Sequence, residues 1–365
     1  MKQDPIYVTQ PFLPPKEEFL PYLEKIWNSK QLTNGGNLHQ ELEKQLSDYL
    51  EVSHISLFSN ATIALMTALK LYNLSGEIIT TPFSFAATAQ AIDWNNCKPV
   101  FVDVEEGTFN IDPSLIEEKI TDSTSAILPV HVYGTPCNVE EISNIALNNN
   151  LKVIYDAAHS FGINYKGKSL LTFGDLSVLS FHATKVFNTF EGGAIISKDI
   201  DSKEQIDEMK NFSLTENGDI KNSGLNGKLS EIHAAMGLLQ LKYIEFCLNQ
   251  RKCVSDKYDK AFKDILGISI TQDDVRWNRN YSYYPISIDK EVFNKSRDDV
   301  FENLKSNSVF SRKYFYPSLN NMTYFKTKSD DLNLSSKFST EILCLPIYPD
   351  LKPEEQERVI EIILK

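Results

Sequence analysis

The sequence predicts an α/β fold: a mostly parallel sheet covered on both faces by helices, joined to a smaller C-terminal domain. Three observations carry that prediction. Short apolar runs alternate with segments of helical spacing through the first two thirds of the 365 residues. Repeated βα units of this kind build parallel sheets buried on both faces. A long helical segment follows, and beyond it the texture shifts to polar stretches with new strand-like runs, as a second body would show.

The elements follow in order. Ala61 to Tyr72 carries Ile63, Leu65, Met66 and Leu69 at helical spacing and reads as a helix. Glu77 to Thr80 reads as a strand, Ala86 to Trp94 as a helix, Pro99 to Val104 as a strand and Pro113 to Ile120 as a short helix. Ser125 to Val132 is a strand, Glu140 to Asn149 a helix, and Lys152 to Tyr155 and Leu176 to Phe181 are two further strands. Leu229 to about Val254 is the long bridging helix, Tyr281 to Ile288 a strand of the second domain, and Pro353 to Leu364 its closing helix. The expected domains are 1–245, with an N-terminal arm, and 246–365.

Composition narrows the classes. A net charge of -12 argues against nucleic acid and anionic membrane as partners, while leaving room for a local anion pocket built from backbone N–H groups. The five cysteines are odd in number and never spaced C-x-x-C, so reduced thiols in the cytoplasm are expected, with no disulfide framework and no metal site. The opening residues lack the apolar core of a signal peptide, and no run of about 18 apolar residues exists. There is no G-x-G-x-x-G after a strand, no phosphate-binding G-x-x-x-x-G-K-[ST], no H-E-x-x-H and no G-x-S-x-G.

What remains is a lysine. Lys185 follows the strand-like run Leu176, Val178, Leu179 and Phe181 and precedes the pair Gly192 and Gly193. Most lysines are solvated. One at the end of a buried strand loses solvation, its pKa falls, and its amine becomes a nucleophile or Schiff-base partner. Pyridoxal phosphate is the cofactor that asks for such an amine, together with an anion for its ring nitrogen, a phosphate cradle and a flat group against the ring. Asp156 in V-I-Y-D-A-A-H stands at a strand's carboxyl end and is the anion candidate, or else an N-cap. Phe58 to Leu65 is a strand end leading into a helix, with Thr62 adding a hydroxyl; a cap by Ser59 or Asn60 is the other reading. Ser180 is a second phosphate candidate, Phe85 the ring-stacking candidate, and His159 a partner for the ring face or its phenolic oxygen.

These motifs resemble the DegT/DnrJ/EryC1/StrS family, the sugar-nucleotide aminotransferases of pyridoxal-phosphate fold type I. The resemblance rests on S-F-H-A-T-K with D-A-A-H upstream, and runs from L-T-N-G-G at Leu32–Gly36 to L-P-I-Y-P-D-L-K-P-E-E-Q at Leu345–Gln356. It implies a seven-stranded, mostly parallel sheet in the large domain and an α+β small domain. By matching position, Lys185 would bond the cofactor's aldehyde and move the proton, and Asp156 would hold the ring nitrogen. Ala61, Thr62 and Ser180 would hold the phosphate, Phe85 would stack, and His159 stands where many relatives carry Gln. Asn226 matches an asparagine that reaches the phosphate across a subunit interface, which implies a homodimer with shared sites. Thr33, Asn34, Tyr314 and Tyr316 would meet the substrate.

The resemblance also implies L-glutamate as amino donor and a nucleotide-linked keto-deoxysugar as acceptor. A lysine rather than a histidine at position 185 favours amino transfer over dehydration. S-F-H-A-T-K-V-F, with the opening V-T-Q-P-F-L-P-P-K-E-E-F, looks like members that aminate the 4-keto carbon of a dTDP-4-keto-6-deoxyhexose to give dTDP-4-amino-4,6-dideoxyglucose for O-antigen. Amination at carbon 3, a UDP or GDP sugar, and a non-catalytic pyridoxal-phosphate-binding regulator remain alternatives.

Overall fold

Burial alternates residue by residue along the central strands. In Lys152–Asp156, Ile154 packs into one apolar cluster while Val153 and Tyr155 pack into another. In Leu176–Ser180, Val178 and Leu179 likewise belong to clusters on opposite faces. A strand shows this period-2 division when both faces of its sheet are covered. The computed structural model describes residues 4–215, 217–326 and 331–365.

The main sheet has seven strands, β1 (His54–Phe58), β2 (Glu77–Thr80), β3 (Lys98–Phe101), β4 (Thr124–Leu128), β5 (Lys152–Asp156), β6 (Leu176–Ser180) and β7 (Gly193–Ser197), in the order β1-β7-β6-β5-β4-β2-β3. Pairing is parallel from β3 through β6, and β7 runs antiparallel to both β6 and β1. One face is covered by α1 (Lys16–Ser29), α2 (Asn37–Leu50) and α7 (Glu231–Lys242), through Leu42, Leu46, Leu238 and Leu239. The other is covered by α3 (Ala61–Leu71), α4 (Ala86–Trp94) and α6 (Ile200–Met209), while α5 (Val139–Asn148) lies on the first face and packs on Val153 and Tyr155. Gly193 lets β7 pass under the start of α3: a Cβ there would lie 2.7 Å from the Ala61 nitrogen.

Four expectations need correction. Pro113 to Ile120 forms two short 3-10 turns rather than a helix. The strand expected at Ser125 to Val132 ends at Leu128, because Pro129 has no N–H to continue the ladder. The long bridging helix is two helices, α7 and α8 (Ile244–Phe262), parted at Tyr243, whose hydroxyl is held by Glu18 of α1. The strand expected from Tyr281 starts at Tyr284, since Tyr281 has a φ of 56°.

Beyond α8 an antiparallel sheet of Ile268–Ile270, Tyr284–Ile288 and Ile342–Leu345 packs with the helices Arg297–Ser306 and Pro353–Leu364. The chain's start belongs to this second body. Ile6 lies in its core, and Ile6–Tyr7 pairs in parallel with Val309–Phe310. We propose the α7–α8 junction as the domain boundary, with the N-terminal arm crossing it.

A buried ion cluster ties α2, α6 and β1 together. Glu43 accepts from the Leu57 N–H at 3.2 Å, meets His39 Nε2 at 3.2 Å, and lies 3.5 Å from both Lys203 and Lys210. Burial pushes its carboxyl up, but the His39 hydrogen bond and the two lysines outweigh burial and hold the pKa at about 2. The folded pKa is depressed, so this stabilisation is complete above the ordinary value of 4.5 and is lost as pH falls toward about 2. Glu43→Gln should therefore cost about 3 kcal/mol at neutral pH. Urea unfolding checks this, and the gap between variant and parent should shrink between about pH 5 and about pH 3.

Candidate active site

Parallel strands place their loops at one edge of the sheet, and that edge carries a cavity of about 260 Å³. Asp156 closes β5, Lys185 follows β6, Ala61 and Thr62 open α3 after β1, and Phe85 opens α4 after β2. All of these line the cavity, as do His159, Ser180 and Tyr314.

Asp156 is buried, and both its oxygens are engaged. Thr88 Oγ1 donates to Oδ2 at 2.7 Å, and the Ala158 N–H donates to Oδ1 at 3.2 Å. The Ser84 hydroxyl lies 2.7 Å from Thr88 Oγ1. Thr88 has one proton and gives it to the carboxylate, so Ser84 is the donor to Thr88. Burial raises the Asp156 pKa, while Thr88, the Ala158 N–H and the charge of Lys185 oppose it. Among the described residues no basic group lies within ion-pair distance of Asp156. No helix follows Asp156, so the N-cap reading fails: one oxygen closes a turn with the Ala158 N–H, and the carboxylate keeps capacity for a cationic partner.

Lys185 donates to the Tyr283 hydroxyl at 3.3 Å, and its ammonium lies 5.5 Å from that ring's centre. Loss of solvation lowers its pKa to about 8, against the pull of Asp156 and Tyr314. A sizeable fraction of the amine is thus unprotonated near neutrality, the state a nucleophile or proton acceptor needs.

The start of α3 resolves its two readings together. Asn60 is the cap, its side chain accepting from the Ile63 N–H at 2.9 Å. This leaves the Ala61 and Thr62 N–H groups without a partner among the described residues, at the positive end of the helix and beside Ser180. His159 is buried, and its Nδ1 accepts from the Tyr133 N–H at 3.1 Å. Burial, then the charge of Lys185, holds its pKa well below the ordinary value, so it is neutral with its proton on Nε2. Phe85 is 61% exposed and free to cover a ligand.

These residues fit pyridoxal phosphate on two observations. Unclaimed helix N–H groups stand at one part of the cavity, and a buried carboxylate without a cation stands at another. Tyr316 lies outside the cavity, in an adjoining groove. Thr33, Asn34 and Asn226 are exposed and line neither. Sequence reasoning missed Thr88 and Ser84, although their i, i+4 spacing across the start of α4 would place two hydroxyls on one face. It also missed Tyr283, which arrives from the second body with no local signal.

Comparison with known proteins agrees with this geometry. Residues 15–364 match the model of the DegT/DnrJ/EryC1/StrS aminotransferase family. The chain is 50% identical to a dTDP-4-amino-4,6-dideoxy-D-glucose transaminase of Escherichia coli, over 100% of this chain and 99% of that one. It is 48% identical to a protein of the same name from Shigella dysenteriae, over 99% of each. Among solved structures, DesI crystallised with its TDP-sugar product superposes with a TM-score of 0.95 at 31% identity, covering 100% of this chain and 93% of DesI.

The lowered pKa can be read directly. Acetylation of the cofactor-free protein, followed by peptide mass spectrometry across pH, should show Lys185 half-reactive at about 8 and surface lysines nearer 10.5. Because Asp156 raises the Lys185 value, Asp156→Asn should move the midpoint lower still.

Proposed function

The chain belongs to the DegT/DnrJ/EryC1/StrS aminotransferase family, and from that premise we propose its reaction: transfer of the amino group of L-glutamate to the 4-keto carbon of dTDP-4-keto-6-deoxyglucose, giving dTDP-4-amino-4,6-dideoxyglucose. It is a pyridoxal-phosphate-dependent sugar-nucleotide aminotransferase. The observation that carries the substrate reading is end-to-end identity of about one half with transaminases of that name, joined to a cavity that holds Lys185 and Asp156 together.

When bound, pyridoxal phosphate supplies an electron sink at the carbon that gains or loses the amine. The protein's part is positional and acid–base. Ala61 and Thr62 N–H groups with Ser180 would hold the phosphate, and Phe85 would cover the ring. Asp156, its carboxylate accepting from Thr88 and the Ala158 N–H, would keep a proton on the ring nitrogen. His159 offers an Nε2–H donor toward the ligand. Lys185, with a pKa of about 8, accepts and returns a proton near neutral pH, and Tyr283 orients its amine. Thr33, Asn34, Tyr314 and Tyr316 are proposed as substrate contacts.

The site is proposed to be shared between two copies. Asn226 is exposed and outside its own cavity, as a residue serving the partner's phosphate would be. Free thiols, four of them buried, suit the cytoplasm, where the product would be made for O-antigen or another surface polysaccharide.

Incubation of the enzyme with L-glutamate and dTDP-4-keto-6-deoxyglucose should yield, by NMR of the sugar ring, an amine on carbon 4 with gluco configuration. An amine on carbon 3, or turnover only with a UDP or GDP sugar, overturns the substrate reading. Lys185→Ala should lose at least about 10³-fold in turnover. Mixing and refolding inactive Lys185→Ala and Asn226→Ala proteins should restore about a quarter of parental activity, because half of the dimers then carry one intact site. No recovery sinks the shared-site reading.

A further inference from the structure

The loop that follows Asp156 is gripped along its length by a segment of the second body, residues 276–283. The Lys166 N–H donates to the Arg276 carbonyl at 2.6 Å, and Tyr165 bridges Trp277 in antiparallel register. Asn278 accepts from the Asn164 N–H at 2.6 Å and donates to the Gly162 carbonyl at 3.0 Å. Asn280 and Ser282 then reach His159 itself. We infer that Asn280 is a positioning residue for the reaction: it fixes the backbone of His159 and anchors the turn that holds the Tyr283 hydroxyl on Lys185. The inference rests on the reading of Lys185 and His159 as groups that meet the cofactor.

Three features carry it. First, Asn280 is only 2% exposed and spends both its donors on the loop. Its Nδ2 donates to the His159 carbonyl at 2.7 Å and to the Phe161 carbonyl at 2.9 Å, while Oδ1 accepts from the Ser282 N–H at 3.1 Å. The Ser282 hydroxyl lies between the two bodies, 2.9 Å from the His159 carbonyl and 2.8 Å from Asn280 Oδ1. Second, His159 is thereby held at two points, its carbonyl by Asn280 and its Nδ1 by the Tyr133 N–H. Gly134 makes room for this junction. Its φ is +91°, and a Cβ there would lie 2.9 Å from the His159 carbonyl oxygen and 3.1 Å from Asn280 Oδ1. Third, Tyr283 follows at once. Its ring centre lies 4.8 Å from that of His159, and its hydroxyl accepts from Lys185 at 3.3 Å. The intervening Tyr281 has a left-handed φ of 56°, and the buried Arg251 of α8 donates to its carbonyl at 3.2 Å. Asn280 thus sets the relative placement of two cavity groups that come from different loops. Misplacement by about 1 Å at such a site can cost about 100-fold in rate.

The test compares Asn280→Ala with Asn278→Ala, because Asn278 grips the same loop through residues that do not line the cavity. In the pyridoxal-phosphate-loaded enzyme, Asn280→Ala should lower kcat about 10- to 100-fold and leave the KM for L-glutamate and for the sugar nucleotide within about twofold. Asn278→Ala should leave kcat within about twofold of the parent. Acetylation of the cofactor-free protein gives a second readout that needs no substrate. Lys185 is faced by Asp156, His159, Tyr283 and Tyr314, and loss of solvation is the largest influence on its amine. Freeing Tyr283 readmits water, so the half-reactive point of Lys185 should rise from about 8 by about one pH unit in Asn280→Ala and stay in place in Asn278→Ala. Ser282→Ala deletes a single hydroxyl and should move both readouts in the same direction by less; it replaces Asn280→Ala if thermal melting shows that variant unfolded. An unmoved half-reactive point in the folded variant overturns the assignment, as does an equal response to Asn278→Ala. A moved half-reactive point together with a different aminated sugar upholds Asn280 and removes only the substrate reading.

Discussion

A buried carboxylate without a neutralising cation is the feature around which this protein is arranged. Asp156 ends β5, the middle strand of seven, and only 6% of it is exposed. Burial raises its pKa, and the Thr88 hydroxyl backed by Ser84 on one oxygen and the Ala158 N–H on the other oppose that rise. Such a group is expensive to keep ionised unless a cation arrives. The topology supplies the setting: five adjacent parallel strands bring their carboxyl ends to one edge, and the neighbouring loops deliver a lysine, a histidine and a helix start to the same cavity.

The cavity is polar in a directed way. The start of α3 contributes the positive end of a helix with two unclaimed N–H groups, and Asp156 contributes a negative charge. A ligand with a phosphate at one end and a protonated ring nitrogen at the other satisfies both. Gly193 makes this compatible with packing, since any side chain there would collide with Ala61 and push the helix start away from the sheet. His159 stays neutral in the same enclosure because burial and the charge of Lys185 disfavour its protonated form, and the Tyr133 N–H on Nδ1 leaves its proton on Nε2, so it adds a donor without adding charge.

Much of this was legible in the sequence because it is local. Glu77–Thr80, Ala86–Trp94 and Pro353–Leu364 form where periodicity puts them. Lys185, Asp156, Ala61 and Phe85 meet because each stands at the end of a strand or the start of the following helix, a position a sequence pattern can mark. What was not legible depends on distant partners. The break at Tyr243 follows from a hydroxyl held by Glu18, far away in the chain, and periodicity is blind to it. Tyr283 reaches Lys185 only because the second body folds back over the sheet edge. The placement of Ile6 in the second core could not be read either, since a two-residue parallel pairing leaves no sequence period.

That last placement bears on how the molecule divides its labour. The cofactor cavity is built largely from consecutive βα units between Phe58 and Gly192, set on a ladder of paired strands that cannot shift singly. The adjoining groove takes its walls from the two ends of the chain, with Tyr7 to Thr9 laid against residues 309–317. Its backbone is held by the Ile6–Tyr7 pairing, by the Ile347 N–H to Val8 at 3.0 Å, by the paired Arg312 and Cys344, and by the Tyr133 hydroxyl on the Tyr314 carbonyl. Segments of this kind accept substitution more readily than sheet interiors do. A ladder of paired strands therefore carries the cofactor cavity, while the adjoining groove is walled by arm and loop. The two share Phe85 and Tyr314, so a ligand seated in the groove lies against the same side chains that enclose Lys185.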